Sequence, residues 1–174
     1  SLCVSLGALA DPHLEAALTA AAEAGNSRLY LTSGAIGGLD ALRGARAGTI
    51  TKVTYTGRKP PKGWIGSPAE DVLDLDGLTE ATAHFTGTAR AAALAYPKNA
   101  NVAAAVALAG IGFDATEVAL IADPAATANI HEVYAAGAFG SFHFTISGNG
   151  LPENPRSSAL AAMSVVSELV ERKK

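Results

Sequence analysis

The sequence has one cysteine, one methionine and one tryptophan among its 174 residues, and aromatics make up only 6% of it. A lone Cys3 excludes an internal disulfide and a cysteine-ligated zinc site. Charged residues are sparse at 17%, the net charge is −3, and the basic residues are scattered. That pattern carries no nucleic-acid footprint and no polybasic membrane patch, so neither partner is expected. The longest apolar run, Asn101–Gly112, is too short to span a bilayer. No basic n-region of a signal peptide precedes an apolar stretch, and a cytoplasmic location is the expectation. No His/Cys/carboxylate spacing points to a metal; His131-Glu132 is not part of H-E-x-x-H. G-x-G-x-x-G is also missing, and with it the pyrophosphate fingerprint of a dinucleotide-binding turn.

What is present is Ala, Gly and aliphatics, 49% apolar in all, enough for one ample core or two small lobes. A strand is expected over Ser1–Leu6. A helix capped by Asp11 with Pro12 in its first turn follows, with Leu14, Ala17, Leu18, Ala21 and Ala22 on one stripe. Arg28–Leu31 reads as a short buried strand that runs into the Gly-rich turn SGAIGG (Ser33–Gly38) and another helix. This order is the grammar of an open parallel sheet. After Gly48 the grammar changes. TITKVTYTGRK alternates β-branched and polar residues, giving a half-solvated strand over 49–56. Further elements are a strand in EATAHFTGTA, helices over 88–96 and after Pro97, a strand in TEVALIADP and a Gly-turn hairpin over 133–146. A last helix is expected to carry Pro155 in its first turn and Leu160, Met163, Val166 and Val170 on one face, with a cationic end. The fold class expected is α/β with α+β: elements of an open parallel sheet, then a mixed or antiparallel sheet covered by helices.

Four stretches carry chemistry or simple structure. SGAIGG offers backbone N–H groups to an anion or carboxamide, or is only a tight strand-to-helix turn. Lys98, Asn99 and Asn101 stand at the mouth of a helix that is otherwise nearly pure Ala, Val and Leu. They either cap it after Pro97 or form a donor cluster for a carboxylate or carboxamide. His131 is either a structural histidine or a general base near pH 7. Ser157 and Ser158 either start the last helix or meet a ligand. His13, His84 and His143 stand in no polar cluster.

Together, SGAIGGLDAL, YPKNANVAAAVALAG, ADPAATANIHEV and NPRSSALAAMSVVSEL, in this order and spacing, resemble L-aspartate dehydrogenases along essentially the whole chain. The resemblance implies an NAD- or NADP-dependent amino-acid dehydrogenase that turns L-aspartate into iminoaspartate for NAD biosynthesis. In reverse it would aminate oxaloacetate with ammonia. It implies His131 as the catalytic residue, Ala35 and Asn101 as cofactor contacts, and, more weakly, Lys98 and Asn99 as substrate contacts. It also implies a homodimer. Residues 1–47 are expected to be the trailing part of a Rossmann-type domain, 48–150 an α+β substrate and dimerisation domain, and 151–174 a helix packing back on the nucleotide-domain part. With the fingerprint region missing, the chain by itself is expected to bind NAD weakly. A related two-domain reductase of the dihydrodipicolinate-reductase or homoserine-dehydrogenase type, or a non-catalytic ligand-binding or oligomerisation domain, accounts for the same elements.

Overall fold

The computed structural model describes residues 1–171, with 154–156 described by their backbone alone. Near the start, β1 (Leu2–Cys3) pairs in parallel with β2 (Tyr30–Leu31). The expected strand over Ser1–Leu6 is thus cut short, because the chain turns at Leu6 into a 3-10 helix, Leu6–Ala10, that buries Leu6, Leu9 and Ala10. Helix α1 (Pro12–Ala24) begins where Asp11 predicts: the Asp11 carboxylate accepts from the N–H groups of His13 and Leu14. Its apolar stripe is not core. No α1 residue is buried, and of the stripe's larger side chains Leu18 packs partly on the core while Leu14 is exposed. Helix α2 (Leu39–Ala45) follows the Gly-rich turn.

The larger sheet contains β3 (Ile50–Lys59), β4 (Thr82–Thr88), β5 (Glu117–Ala122), β6 (Asn129–Gly137) and β7 (Gly140–Gly148), in the order β4-β5-β3-β6-β7. Only β3 and β5 are parallel; the other three pairings are antiparallel, so the sheet is mixed, as the expected fold class requires. The crossover from β3 to β5 carries β4 and the helices α3 (Ala89–Ala95) and α4 (Asn101–Ala109).

Alternation then determines what is buried. Val53 and Tyr55 of β3, Val118 and Leu120 of β5, and Val133 and Ala135 of β6 point to one face and are all nearly inaccessible. Helix α4 belongs to the same core. Every residue from Val102 to Val106 is buried, and its small side chains let α3, α2 and the 3-10 helix approach closely. A single cluster of buried side chains runs from Leu6 and Leu9 through α4 to the sheet.

Two further sequence expectations change. The β3 strand extends past 56 to Lys59, because Thr56, Gly57 and Arg58 continue their pairing with Glu132, His131 and Ile130. Pro155 does not open a helix. Asn154–Ser158 forms β9, antiparallel to β8 (Gly150–Leu151), and α5 (Ala159–Glu171) starts only after it. A short two-stranded ribbon tolerates a residue without an N–H, and the Ala159 N–H donates to Asn149 O. On α5, Met163 and Val166 are 63% and 60% exposed. The cationic end expected for this helix lies outside the described residues.

At the hairpin's end, Gly137 faces the Thr49 carbonyl so closely that an added Cβ would overlap it, next to a register shift between Ile50 and Lys52. The obstacle is backbone, not a side chain that can swing away. Gly137→Ala is therefore expected to destabilise the protein by about 1–3 kcal/mol, the usual cost of overpacking. A denaturant titration that gives the wild-type midpoint would refute this.

Candidate functional site

Strand phase builds the floor of the site. Tyr55, Gly57 and Lys59 alternate with Thr56 and Arg58, so all three lie on the buried face of the sheet. His131 stands directly opposite Gly57 on β6. It is the third residue of that strand, close to the loop-to-strand transition, and is 4% exposed. Tyr55 Oη and His131 Nδ1 are 2.8 Å apart, with the two rings nearly parallel. Gly57 makes this contact feasible: a Cβ there would stand 2.7 Å from the Tyr55 hydroxyl. The pair has two forms. Either Tyr55 donates to Nδ1 and Nε2 carries the proton, or Nδ1–H donates to Tyr55 Oη and Nε2 presents a lone pair to the cavity. Burial, helped by the nearby Lys59 ammonium, lowers the His131 pKa to about 4, and burial holds the Tyr55 phenol protonated well above its ordinary range. His131 is thus a neutral imidazole at pH 7.

The wall comes from the chain leading into α4. Pro97–Asn99 is a turn outside the helix, and Asn101 is the first helical residue. Asn99 Oδ1 accepts from Lys59 Nζ at 2.9 Å. Asn101 Oδ1 accepts from the Gly7 N–H at 2.9 Å, which fixes the amide so that its NH₂ group is left to donate. The opposite rim is the Gly-rich turn. Its glycines divide their work. Gly34, at φ 66°, has open space where a Cβ would be, and Ser33, Gly34 and Ala35 line the cavity. Gly37 meets the Phe144 ring, which leaves no room for a Cβ, so the latter half of the turn is a packing device against β7. The N–H groups at the start of α2, which the sequence offered for an anion, lie in that packed half.

The cavity between these walls has a volume of about 240 Å³. Ala35, Lys98, Asn99, Asn101 and His131, five positions from three separate stretches of sequence, all line it. So do Ser157 and Ser158, and the Ser158 hydroxyl is buried without a partner. Sequence reasoning missed Tyr55 and Lys59. The signal was there: Val53, Tyr55, Gly57 and Lys59 share one phase, so a strand carried on to 59 puts a lysine on the buried face. Lys59 is 7% exposed, and burial lowers its pKa to about 8. Behind it, His84, Trp64 and Tyr96 form an aromatic cluster in which His84 Nδ1 lies 3.1 Å from Tyr96 Oη. His84 is also held to about 4, by burial and then by Lys59. Among the described lining residues there is no Asp or Glu, and among the described residues no cluster could hold a metal ion. No described helix is long and apolar enough to cross a membrane.

Residues 40–172 match the family model "Aspartate dehydrogenase, C-terminal". The chain is 66% identical over 171 residues to the L-aspartate dehydrogenase of Ruegeria pomeroyi and 54% identical over 168 residues to that of Pseudomonas aeruginosa. These alignments cover 98% and 97% of this chain but 62% and 63% of those relatives' lengths. Among solved structures it resembles the aspartate dehydrogenase of Thermotoga maritima, with a TM-score of 0.79 and 29% identity over 99% of this chain and 65% of that one.

The two depressed histidines have a consequence for stability. Unfolded, each titrates near 6.5; folded, near 4. Between those values the unfolded state binds more protons, so the histidines' contribution is fully present above pH 6.5 and is lost as pH falls toward 4. Calorimetric melts are expected to show the melting temperature dropping across that window, with a shallower drop in His84→Gln. Equal slopes in both proteins would refute the assignment to His84.

Proposed function

The chain belongs to the aspartate dehydrogenase family, and from that premise we propose that it forms the substrate-binding part of an NAD- or NADP-dependent L-aspartate dehydrogenase serving NAD biosynthesis. One observation carries the reading: His131, Asn101, Ala35 and two lysines from distant parts of the sequence converge on one cavity with no described carboxylate in its lining. Such a cavity suits an anionic substrate beside a neutral base.

The residues present suit a nicotinamide. The Asn101 amide, held by Gly7, has its NH₂ free for a carboxamide oxygen, and the open approach at Gly34–Ala35 lets a ring lie against backbone. When bound, the cofactor supplies the acceptor for the hydride leaving Cα of aspartate. The chain's own part is proton handling and orientation. His131 Nε2 takes a proton from the substrate amine, so that loss of hydride and proton together leaves iminoaspartate. As Nε2 gains its proton, Nδ1–H donates to Tyr55 Oη, which keeps the ring in place. In the reverse direction, once ammonia has condensed with oxaloacetate and water has left, the same nitrogen returns the proton to the imine nitrogen as hydride adds at Cα. Lys98 and Asn99 supply donors for the substrate at the rim.

Residues 1–47 are read as the trailing part of a Rossmann-type domain, 48–150 as the substrate and dimerisation domain, and 151–174 as a segment that packs back on the nucleotide-binding part through α5; the exposed apolar face of α5 supports this. A cytoplasmic homodimer related by a two-fold axis is the assembly proposed. The exposed Tyr134 and Phe139 on and beside β6 are the surface in its favour. Light scattering at micromolar concentration is expected to give twice the chain mass, and a monomer mass would refute it.

Steady-state kinetics of the full-length protein test the roles. His131→Ala is expected to lower kcat by about 10²–10⁴, as loss of a positioned acid–base group does. Asn101→Ala removes a neutral hydrogen bond worth about 0.5–1.5 kcal/mol and is expected to act mainly on cofactor affinity. A His131→Ala protein with wild-type kcat would return this residue to a purely structural role.

A further inference from the structure

We propose that Lys59 is the specificity residue of this cavity, its ammonium binding one carboxylate of the substrate and so selecting a dicarboxylic acid. The inference rests on the aspartate reading above and names the group that would enforce it.

The observation is a buried cation with no anion. The Lys59 Nζ donates to Asn99 Oδ1 and lies 4.8 Å from the centroid of the Trp64 ring, and both partners are neutral. The ion pairs among the described residues join Lys52 to Glu117, Arg58 to Asp123 and Arg90 to Asp114; none involves Lys59. Burying an ammonium without a counter-ion is costly, and the cost is met only when an anion arrives. An ammonium has three N–H donors. Asn99 takes one, the Trp64 face occupies another direction, and the remaining side is the cavity that Lys59 lines.

The surroundings favour a carboxylate there. The other cation in the lining, Lys98, is exposed on the turn at the rim, so it attracts anions without holding them in register. His131 and His84, whose pKa values burial and then Lys59 lower to about 4, are both neutral at pH 7 and leave its charge unmatched. Lys59 therefore stands as a deep post that holds one carboxylate of a short diacid, while Lys98 at the rim only draws the diacid in. A monocarboxylic amino acid would leave the deep post empty and its desolvation uncompensated.

Calorimetric titration of the full-length protein with succinate, propionate and NAD tests this, since succinate carries both carboxylates but no amine and cannot react. Wild-type protein is expected to bind succinate in preference to propionate. Lys59→Met keeps the stem against Trp64 and removes the charge. It is expected to bind succinate about 10- to 100-fold more weakly, the loss for one charge-assisted hydrogen bond, with NAD affinity unchanged. Wild-type succinate affinity is also expected to fall as pH rises past about 8, where the Lys59 amine deprotonates, and to stay level in Lys59→Arg. This arm needs no folded Lys59→Met protein. Equal succinate binding by wild type and Lys59→Met, a parallel loss of NAD affinity, or a flat wild-type profile from pH 7 to about 9.5 would overturn the role of Lys59 alone. Wild-type protein that binds no succinate would overturn the aspartate reading, and this inference with it.

Discussion

The close seat of α4 among the 3-10 helix Leu6–Ala10, α2 and α3, in the same core as the buried sheet face, is the constraint on which the core and the cavity both depend. An Ala-rich helix contributes little side-chain bulk, so it stabilises the fold only by approaching its neighbours closely and excluding water along its whole length. That closeness fixes where its first residues lie. Asn101 is held over the floor by the Gly7 N–H, and the turn before it brings Asn99 onto Lys59. The rigidity comes from packing, and the polar groups use it, which is how a site gains precision from a rigid element.

A second physical theme is the scarcity of charge inside the cavity. One largely buried ammonium acts on the groups near it. It helps keep His131 and His84 neutral, and it is steadied in turn by an amide oxygen and an indole face rather than by a carboxylate. A carboxylate partner would have made Lys59 cheaper to bury and would have filled the place where an anion can bind. The protein leaves the charge uncompensated at the point where a ligand can compensate it.

What could be read in the sequence follows from how each feature is encoded. His131, Asn101, Lys98 and Asn99 sit in contiguous motifs with unusual local composition, so they stood out before any fold was known. The mixed sheet and its helices were legible from alternation and from Ala-rich runs. Tyr55 and Lys59 were not singled out, because their importance lies in strand phase and in the register that sets Gly57 opposite His131. Register is a long-range property that a single strand does not display. The Gly-rich turn was half legible: its first glycine faces the cavity, but Gly37 serves Phe144, a residue more than a hundred positions away. Pro155 misled because a proline after Asn reads equally as a helix start and as a residue of a short edge ribbon.

Gly57 sits in ordinary extended backbone, where glycine is normally a weak choice. Its value is the volume it gives up: the Tyr55 hydroxyl occupies the space a side chain would take, on its way to His131. Any redesign that scores residues by strand propensity would replace this glycine with valine or threonine and count the change as an improvement. The backbone would accept it. The cost would fall on a neighbouring tyrosine, and would register as a change in proton affinity two residues and one strand away rather than as a loss of fold.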